Sequence, residues 1–166
     1  MKKIITITCL SLILGCASHK KTNKLTSKII CDKNFFFAYD KQSDFIKFDY
    51  NGPHIGNSTF PDYKRTFIKS VSELNKDTEM KLEYVESPLF PSINSVYSKV
   101  RIEKISWTFN VFSAVLEVDL QYEMADGKKM YLTGTNKVYV VGTKKGSLFK
   151  ALKNGHYQFI YSTCSP

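Results

Sequence analysis

The residues from Ala114 to Met124 constrain the fold most, because apolar and polar side chains alternate along them. Every second residue is apolar, and the positions between carry Glu117, Asp119, Gln121 and Glu123. A period of two is that of a β-strand with one buried and one solvated face. Asp126-Gly127 then supplies a tight turn, and residues 128–141 return as the partner strand. We therefore predict an antiparallel hairpin, with lysines of the return strand (Lys128, Lys129 and Lys137) facing the carboxylates.

The other periodic stretches predict further strands and two helices. Strands are expected at residues 28–39, 44–50 and 80–85, and from Tyr97 onward, with a bulge near Glu103-Lys104 where the apolar phase shifts. A helix over about residues 60–75, capped by Ser58 or Thr59, has one apolar face. A second helix begins at Ser147 and reaches at least Lys153, and residues 155–163 fit either helix or strand. The predicted fold class is α+β, an antiparallel β-meander packed by about two helices.

The N-terminus has the layout of an export signal. Lys2 and Lys3 precede an apolar run that ends at Leu14. This run is shorter than the roughly 20 apolar residues that a membrane-spanning helix needs. Residues 1–15 are therefore predicted to be a signal peptide.

The end of that segment, Ile13-Leu14-Gly15-Cys16, resembles the lipobox of bacterial lipoproteins. The resemblance implies that Cys16 is lipidated and anchors the chain to a membrane of the cell envelope. The alternative is an ordinary signal peptide with a chance cysteine. If the host is Gram-negative, Ala17 and Ser18 lack the aspartate typical of inner-membrane retention, which favours the outer membrane, facing the periplasm.

Residues 16–27 are polar and lysine-rich and are expected to form a flexible tether, so residues 28–166 make a single domain. The chain carries 24 basic and 15 acidic residues, and removal of Lys2 and Lys3 lowers its net charge from +9 to +7. This charge serves solubility or attracts anionic surfaces. An envelope location excludes nucleic acid as the expected partner.

The positions of the four cysteines indicate different roles for them. On the lipoprotein resemblance, Cys9 would leave with the signal peptide and Cys16 would be lipidated, so Cys31 and Cys164 remain near the two ends of the domain. In an oxidising compartment such a pair predicts one structural disulfide. Two distant thiols do not make a metal site, and no metal or other cofactor is expected.

Two surface segments are candidates for binding. Leu89 and Phe90 make the loop at residues 87–94 unusually apolar, which suits either a core cover or a partner-binding tip. Lys144 and Lys145 form a basic segment between two glycines.

No catalytic constellation is present. The sequence has no Gly-x-Ser-x-Gly elbow, no His-Glu-x-x-His and no phosphate-binding glycine loop. His54 and His156 are the remaining candidate bases, and neither has an acid or thiol beside it in sequence. We expect a protein that is not an enzyme.

Two families share parts of this organisation. The lipidated tether, central helix, late hairpin over residues 100–141 and final helix resemble small envelope lipoproteins of the transport-auxiliary type. Cys31, Cys164, Tyr131-x-x-Gly134 and Lys145-Gly146 are similar to features of lysozyme-inhibitor lipoproteins. The first resemblance implies a non-catalytic accessory or binding subunit of a cell-envelope assembly, with an envelope protein as partner. The alternative is an inhibitor-like or lipid- or ligand-binding lipoprotein.

Overall fold

The computed structural model describes residues 31–52, 61–78, 80–87, 93–139 and 143–165. The predicted signal peptide, lipidation site and tether lie outside these ranges. The helices and strands in chain order are β1 (Asn34–Tyr39), a short 3-10 helix (Lys41–Phe45), β2 (Phe48–Asn51), α1 (Tyr63–Asp77), β3 (Leu82–Tyr84), β4 (Ser95–Phe109), β5 (Ala114–Met124), β6 (Lys129–Val138) and α2 (Lys144–Cys164).

The six strands form one mixed sheet, in the order β3-β1-β4-β5-β6, with β2 also paired to β4. The predicted purely antiparallel meander is therefore wrong for the first half of the domain. β1 is parallel to both β3 and β4, and β2 is parallel to β4, whereas β4, β5 and β6 are antiparallel neighbours. The α1 helix supplies the crossover connection that a parallel arrangement requires.

β1 and β2 both pair with the same edge of β4: β1 pairs with its first part and β2 with its last part. The 3-10 helix lies between β1 and β2. Asp40 caps this helix by accepting from the backbone N–H of Gln42. The Ser43 hydroxyl accepts from the backbone N–H of Ile102 at 2.9 Å. The predicted strand over residues 44–50 is thus wrong at residues 44–47 and right from Phe48 onward, because the chain makes this capped turn first.

The predicted hairpin and bulge are confirmed, with the return strand ending at Val138. β5 pairs with β6 over ten positions, from Ala114↔Val138 to Glu123↔Lys129, and the turn contains Gly127 at φ +80°. The register of β4 against β5 shifts between Ile102 and Lys104, which is the predicted bulge. Lys129 lies opposite Glu123, as predicted, whereas Lys128 pairs with Asp126 and Asp119 accepts from the Thr133 hydroxyl.

Both helices pack on one face of the sheet and bury its aromatic side chains. Phe67, Val71 and Leu74 of α1 are at most 1% exposed, as the helical periodicity predicted. The helix begins at Tyr63, and Asp62 caps it through a 2.8 Å bond from the Arg65 N–H, so the predicted cap at Ser58 or Thr59, which lie outside the described residues, is wrong.

The final helix runs without interruption to Cys164, which settles residues 155–163 as helical. It begins at Lys144 rather than Ser147, because the Thr143 hydroxyl caps it by accepting from the Gly146 N–H. Gly155 costs helix stability but lets α2 lie close to the sheet: a Cβ there would overlap Leu120, and one on Gly134 would overlap the Ala151 carbonyl oxygen.

The predicted disulfide is present. Cys31 and Cys164 are joined with their Cα atoms 5.6 Å apart and 133 positions apart in sequence. It fastens the end of α2 to the chain just before β1, at the end of the sheet where β4 begins.

Candidate functional site: an apolar and basic patch at one end of the sheet

The buried His156 is a core residue. It is fully buried, with its Nδ1 2.9 Å from the Tyr122 hydroxyl and its Nε2 3.1 Å from the Ser70 hydroxyl. Ser70 donates its own proton to the Phe67 carbonyl, so it accepts from Nε2, and Nδ1 accepts from Tyr122. Burial lowers the pKa of His156 to about 3. The imidazole is therefore neutral and committed to structural hydrogen bonds.

Over the described ranges, no group of three or more His, Cys, Asp or Glu side chains is placed to hold a metal ion. An open cleft of about 800 Å³ separates the 3-10 helix from the first turn of α1, lined by side chains that include Asp44, Phe45, Lys47, Asp62 and Arg65. Its carboxylates already have structural partners, since Asp44 accepts from the Tyr39 hydroxyl and Asp62 caps α1. The cleft carries charges of both signs and no arrangement typical of catalysis.

Of the four residues predicted to bind a partner, the structure describes only Lys144 and Lys145. Cys16, His54, Leu89 and Phe90 lie outside the described residues. Lys144 and Lys145 lie in the first turn of α2, so the expected basic loop is helical.

The turn between β4 and β5 exposes two apolar side chains that were not predicted as site residues. Asn110 and Ser113 close the turn through a 2.7 Å bond from the Asn110 N–H to the Ser113 carbonyl. Val111 and Phe112 at its tip are 88% and 83% exposed. Turns usually carry Gly, Asn, Asp, Pro or Ser at such positions, so an apolar pair there calls for a functional explanation.

Neighbouring elements place more side chains beside this turn. Val138 pairs with Ala114 at the end of β6, so the exposed Tyr139 lies next to the turn. Lys137 lies with its Nζ 5.0 Å from the centroid of the Tyr139 ring. On the helix-covered side, the Lys144 Nζ is 5.0 Å from the ring centroid of Tyr50. We call the set Val111, Phe112, Lys137, Tyr139, Lys144 and Lys145 the apical patch.

An aromatic row beneath the turn supports it. Trp107 stacks on Phe109 with ring centroids 5.0 Å apart, and Phe48 stacks on Tyr50 at 6.0 Å. Gly52, at φ +104°, packs so closely on Phe109 that a Cβ would lie 2.6 Å from the Phe109 carbonyl oxygen. The patch therefore stands on a packed base.

The apical patch lies at the end of the molecule opposite the disulfide. β1 begins level with the start of β4, at Asn34↔Ser95, whereas the turn follows the end of β4. The 15 residues of β4 separate the two ends by about 45 Å. Within the described ranges, no helix is both long enough and apolar enough to cross a membrane.

Comparisons with known proteins give no family. No family model matches the chain, and no curated protein matches it. Among solved structures, it is similar to protein XCC0632 from Xanthomonas campestris, described as DUF330, at 11% identity, with 82% of this chain and 83% of that chain covered and a TM-score of 0.40. It is also similar to the hypothetical protein CT253 from Chlamydia trachomatis, at 10% identity, 78% and 92% coverage and a TM-score of 0.37.

Proposed function

We propose that the protein is a lipid-anchored, non-catalytic binding protein of the cell envelope, an accessory subunit whose working surface is the apical patch. The observation that carries this proposal is the exposure of Val111 and Phe112 at the end opposite the Cys31–Cys164 disulfide. The predicted anchor at Cys16 precedes that disulfide by 15 positions. A chain held there would present its patch away from its attachment point.

A non-catalytic role is supported by two titratable groups, Asp40 and His156, which make structural contacts. The pKa of Asp40 is raised by burial but more strongly lowered by the Gln42 N–H and by Lys99 and Arg101, which together hold it below its usual range. His156 is neutral in the core. These groups stabilise the fold and are not poised for proton transfer at an accessible site.

The inhibitor-like alternative has less support, because Lys144 and Lys145 lie in a helical turn rather than in a loop that enters a cleft. The lipid-carrier alternative needs an enclosed apolar cavity. The cleft beside α1 is instead open and lined by charged side chains.

Anchoring is tested by metabolic labelling with radioactive palmitate in the host, followed by membrane flotation. We expect the wild-type chain to be labelled and to float with membranes, and Cys16→Ala to lose both properties. Cys9→Ala is the matched control and retains both. Labelling that persists in Cys16→Ala, or its absence from the wild type, would contradict the proposed anchor.

A further inference from the structure

We propose that the apical patch docks on a membrane surface rich in anionic lipid headgroups. This inference rests on the proposed function, in which the patch is the working surface, and it names the partner. The protein would then contact a bilayer at the end of the domain opposite its own anchor.

The shape of the patch favours a bilayer over a protein. Val111 and Phe112 project from a two-residue tip between two paired strands, and both are more than 80% exposed. A stable protein interface buries about 800 Å² per partner across a broad surface. A narrow apolar tip offers much less area, but it can enter the boundary between headgroups and acyl chains, where short apolar segments bind.

Tyr139 adds an amphipathic ring beside the tip. Its side chain is 68% exposed, one position beyond the Ala114–Val138 pair, and the Lys137 ammonium approaches its ring. Tyrosine concentrates at membrane interfaces because its ring is apolar and its hydroxyl remains hydrated. The long lysine side chains can reach headgroups while the tip goes deeper.

The charged side chains nearest the tip are lysines, and the nearest acidic residues on β2 and β5 lie further from it: Asp49, which pairs with Lys104, and Glu117, which lies opposite Ser106 and Thr135. Across residues 50–52, 107–116, 136–139 and 143–149, the charged side chains are Lys137, Lys144 and Lys145, and these ranges contain no Asp or Glu. Lys137 approaches from the side of β6, and Lys144 from the helix-covered side. Each lysine close to an anionic surface strengthens binding about fivefold at moderate salt. A neutral surface offers no such gain.

The packed base lowers the cost of docking. The Trp107–Phe109 stack and the tight Gly52 contact hold the turn in one conformation before it meets a surface. A preorganised tip loses little conformational freedom on binding.

The test captures the full chain through a C-terminal tag. Cys164 lies at the end opposite the patch, so capture leaves the tip accessible. The chain, held in amphipol, is offered vesicles of phosphatidylcholine alone or with phosphatidylglycerol added. A lipid anchor would contribute equally to the binding of both vesicle types. The readout is therefore the difference in affinity between the two.

We expect phosphatidylglycerol vesicles to bind at least about tenfold more tightly than phosphatidylcholine vesicles, since each lysine near the anionic surface contributes about fivefold. Phe112→Asp should lower the affinity for phosphatidylglycerol vesicles by at least about tenfold, because it removes a ring that is buried on docking and adds a negative charge at the tip. Phe45→Asp is the matched control: Phe45 is 84% exposed, against 83% for Phe112, but lies in the 3-10 helix beside the middle of β4. Lys137→Ala should weaken binding to phosphatidylglycerol vesicles only.

Equal binding to the two vesicle types, or equal loss in Phe112→Asp and Phe45→Asp, would overturn the lipid proposal. If a photoreactive residue at position 112 still captured a protein in cells, the patch would remain the working surface, and its partner would be that protein. Circular dichroism of each variant checks that the fold is retained.

Discussion

At the scale of single residues, His156 makes stability depend on pH. Its pKa is about 3 in the folded protein, below the ordinary value of 6.5. The unfolded chain therefore binds more protons between these values, and the free energy of unfolding falls as the pH drops from about 6.5, by up to about 1.4 kcal/mol per pH unit.

Urea denaturation at pH 7.5, 5.5 and 4.5 measures this dependence. We expect His156→Gln, which has an amide in place of the imidazole, to flatten the slope between pH 6 and 4 even if it lowers stability overall. The Asp40 carboxyl, whose pKa lies below its usual range, responds mainly at lower pH. Identical slopes for wild type and variant would show that His156 does not control this range.

Gly134 tests the close contact between α2 and β6. An alanine there would overlap the Ala151 carbonyl oxygen, so the helix must move, at a cost of about 3 kcal/mol. Gly127→Ala is the comparison, because nothing lies within 4 Å and only its positive φ of 80° is penalised, by about 1 kcal/mol. Thermal unfolding of both variants gives the ranking, and a smaller loss for Gly134→Ala would disprove the contact.

At the scale of elements, α2 protects the free edge of the sheet. The Asn154 side-chain oxygen accepts from the Thr135 N–H at 3.0 Å and from Gln158, whose amide also donates to the Thr133 carbonyl. These bonds occupy edge groups of β6 that could otherwise pair with another strand.

Asn154→Ala should therefore lower the free energy of unfolding by about 1 kcal/mol and increase self-association, measured by sedimentation velocity at rising concentration. Asn154→Asp keeps an acceptor oxygen at the same place and should remain monodisperse. Self-association of both variants to the same extent would exclude the edge bonds as its cause.

The elements also show what local sequence can predict. The β5–β6 hairpin and the bulge near Glu103 were predictable, because alternation and a phase shift are read within a few residues. The parallel pairing of β1 with β4 was not, because the choice of partner depends on contacts some 60 positions apart. The strand predicted over residues 44–50 begins only at Phe48, because the chain first forms a capped 3-10 turn whose Ser43 hydroxyl bonds to β4, a tertiary contact absent from any local pattern.

The apical patch was missed although a signal for it exists. The apolar phase passes from odd positions, ending at Phe109, to even positions, beginning at Ala114, so a turn must lie between them. Asn110 and Ser113 mark that turn, which leaves Val111 and Phe112 at its tip. The predicted candidates Leu89 and Phe90 lie outside the described residues and stay a prediction.

At the scale of the whole molecule, the disulfide fixes the two ends of the domain together. A loop closed over 133 positions stabilises the fold by about 5 kcal/mol in the chain-entropy account. We expect the double variant Cys31→Ser, Cys164→Ser to lose up to this amount in urea denaturation, and a reducing agent to destabilise the wild type but not the variant. An unchanged midpoint under reducing conditions would contradict a stabilising role.

We propose the apical patch as the surface through which the anchored protein works. The most direct measurement places a photoreactive amino acid at position 112, or at position 45 as the equally exposed control, in the intact host envelope. We expect a defined crosslinked product, lipid or protein, from position 112 and none from position 45. No product from position 112, or the same product from both positions, would contradict it.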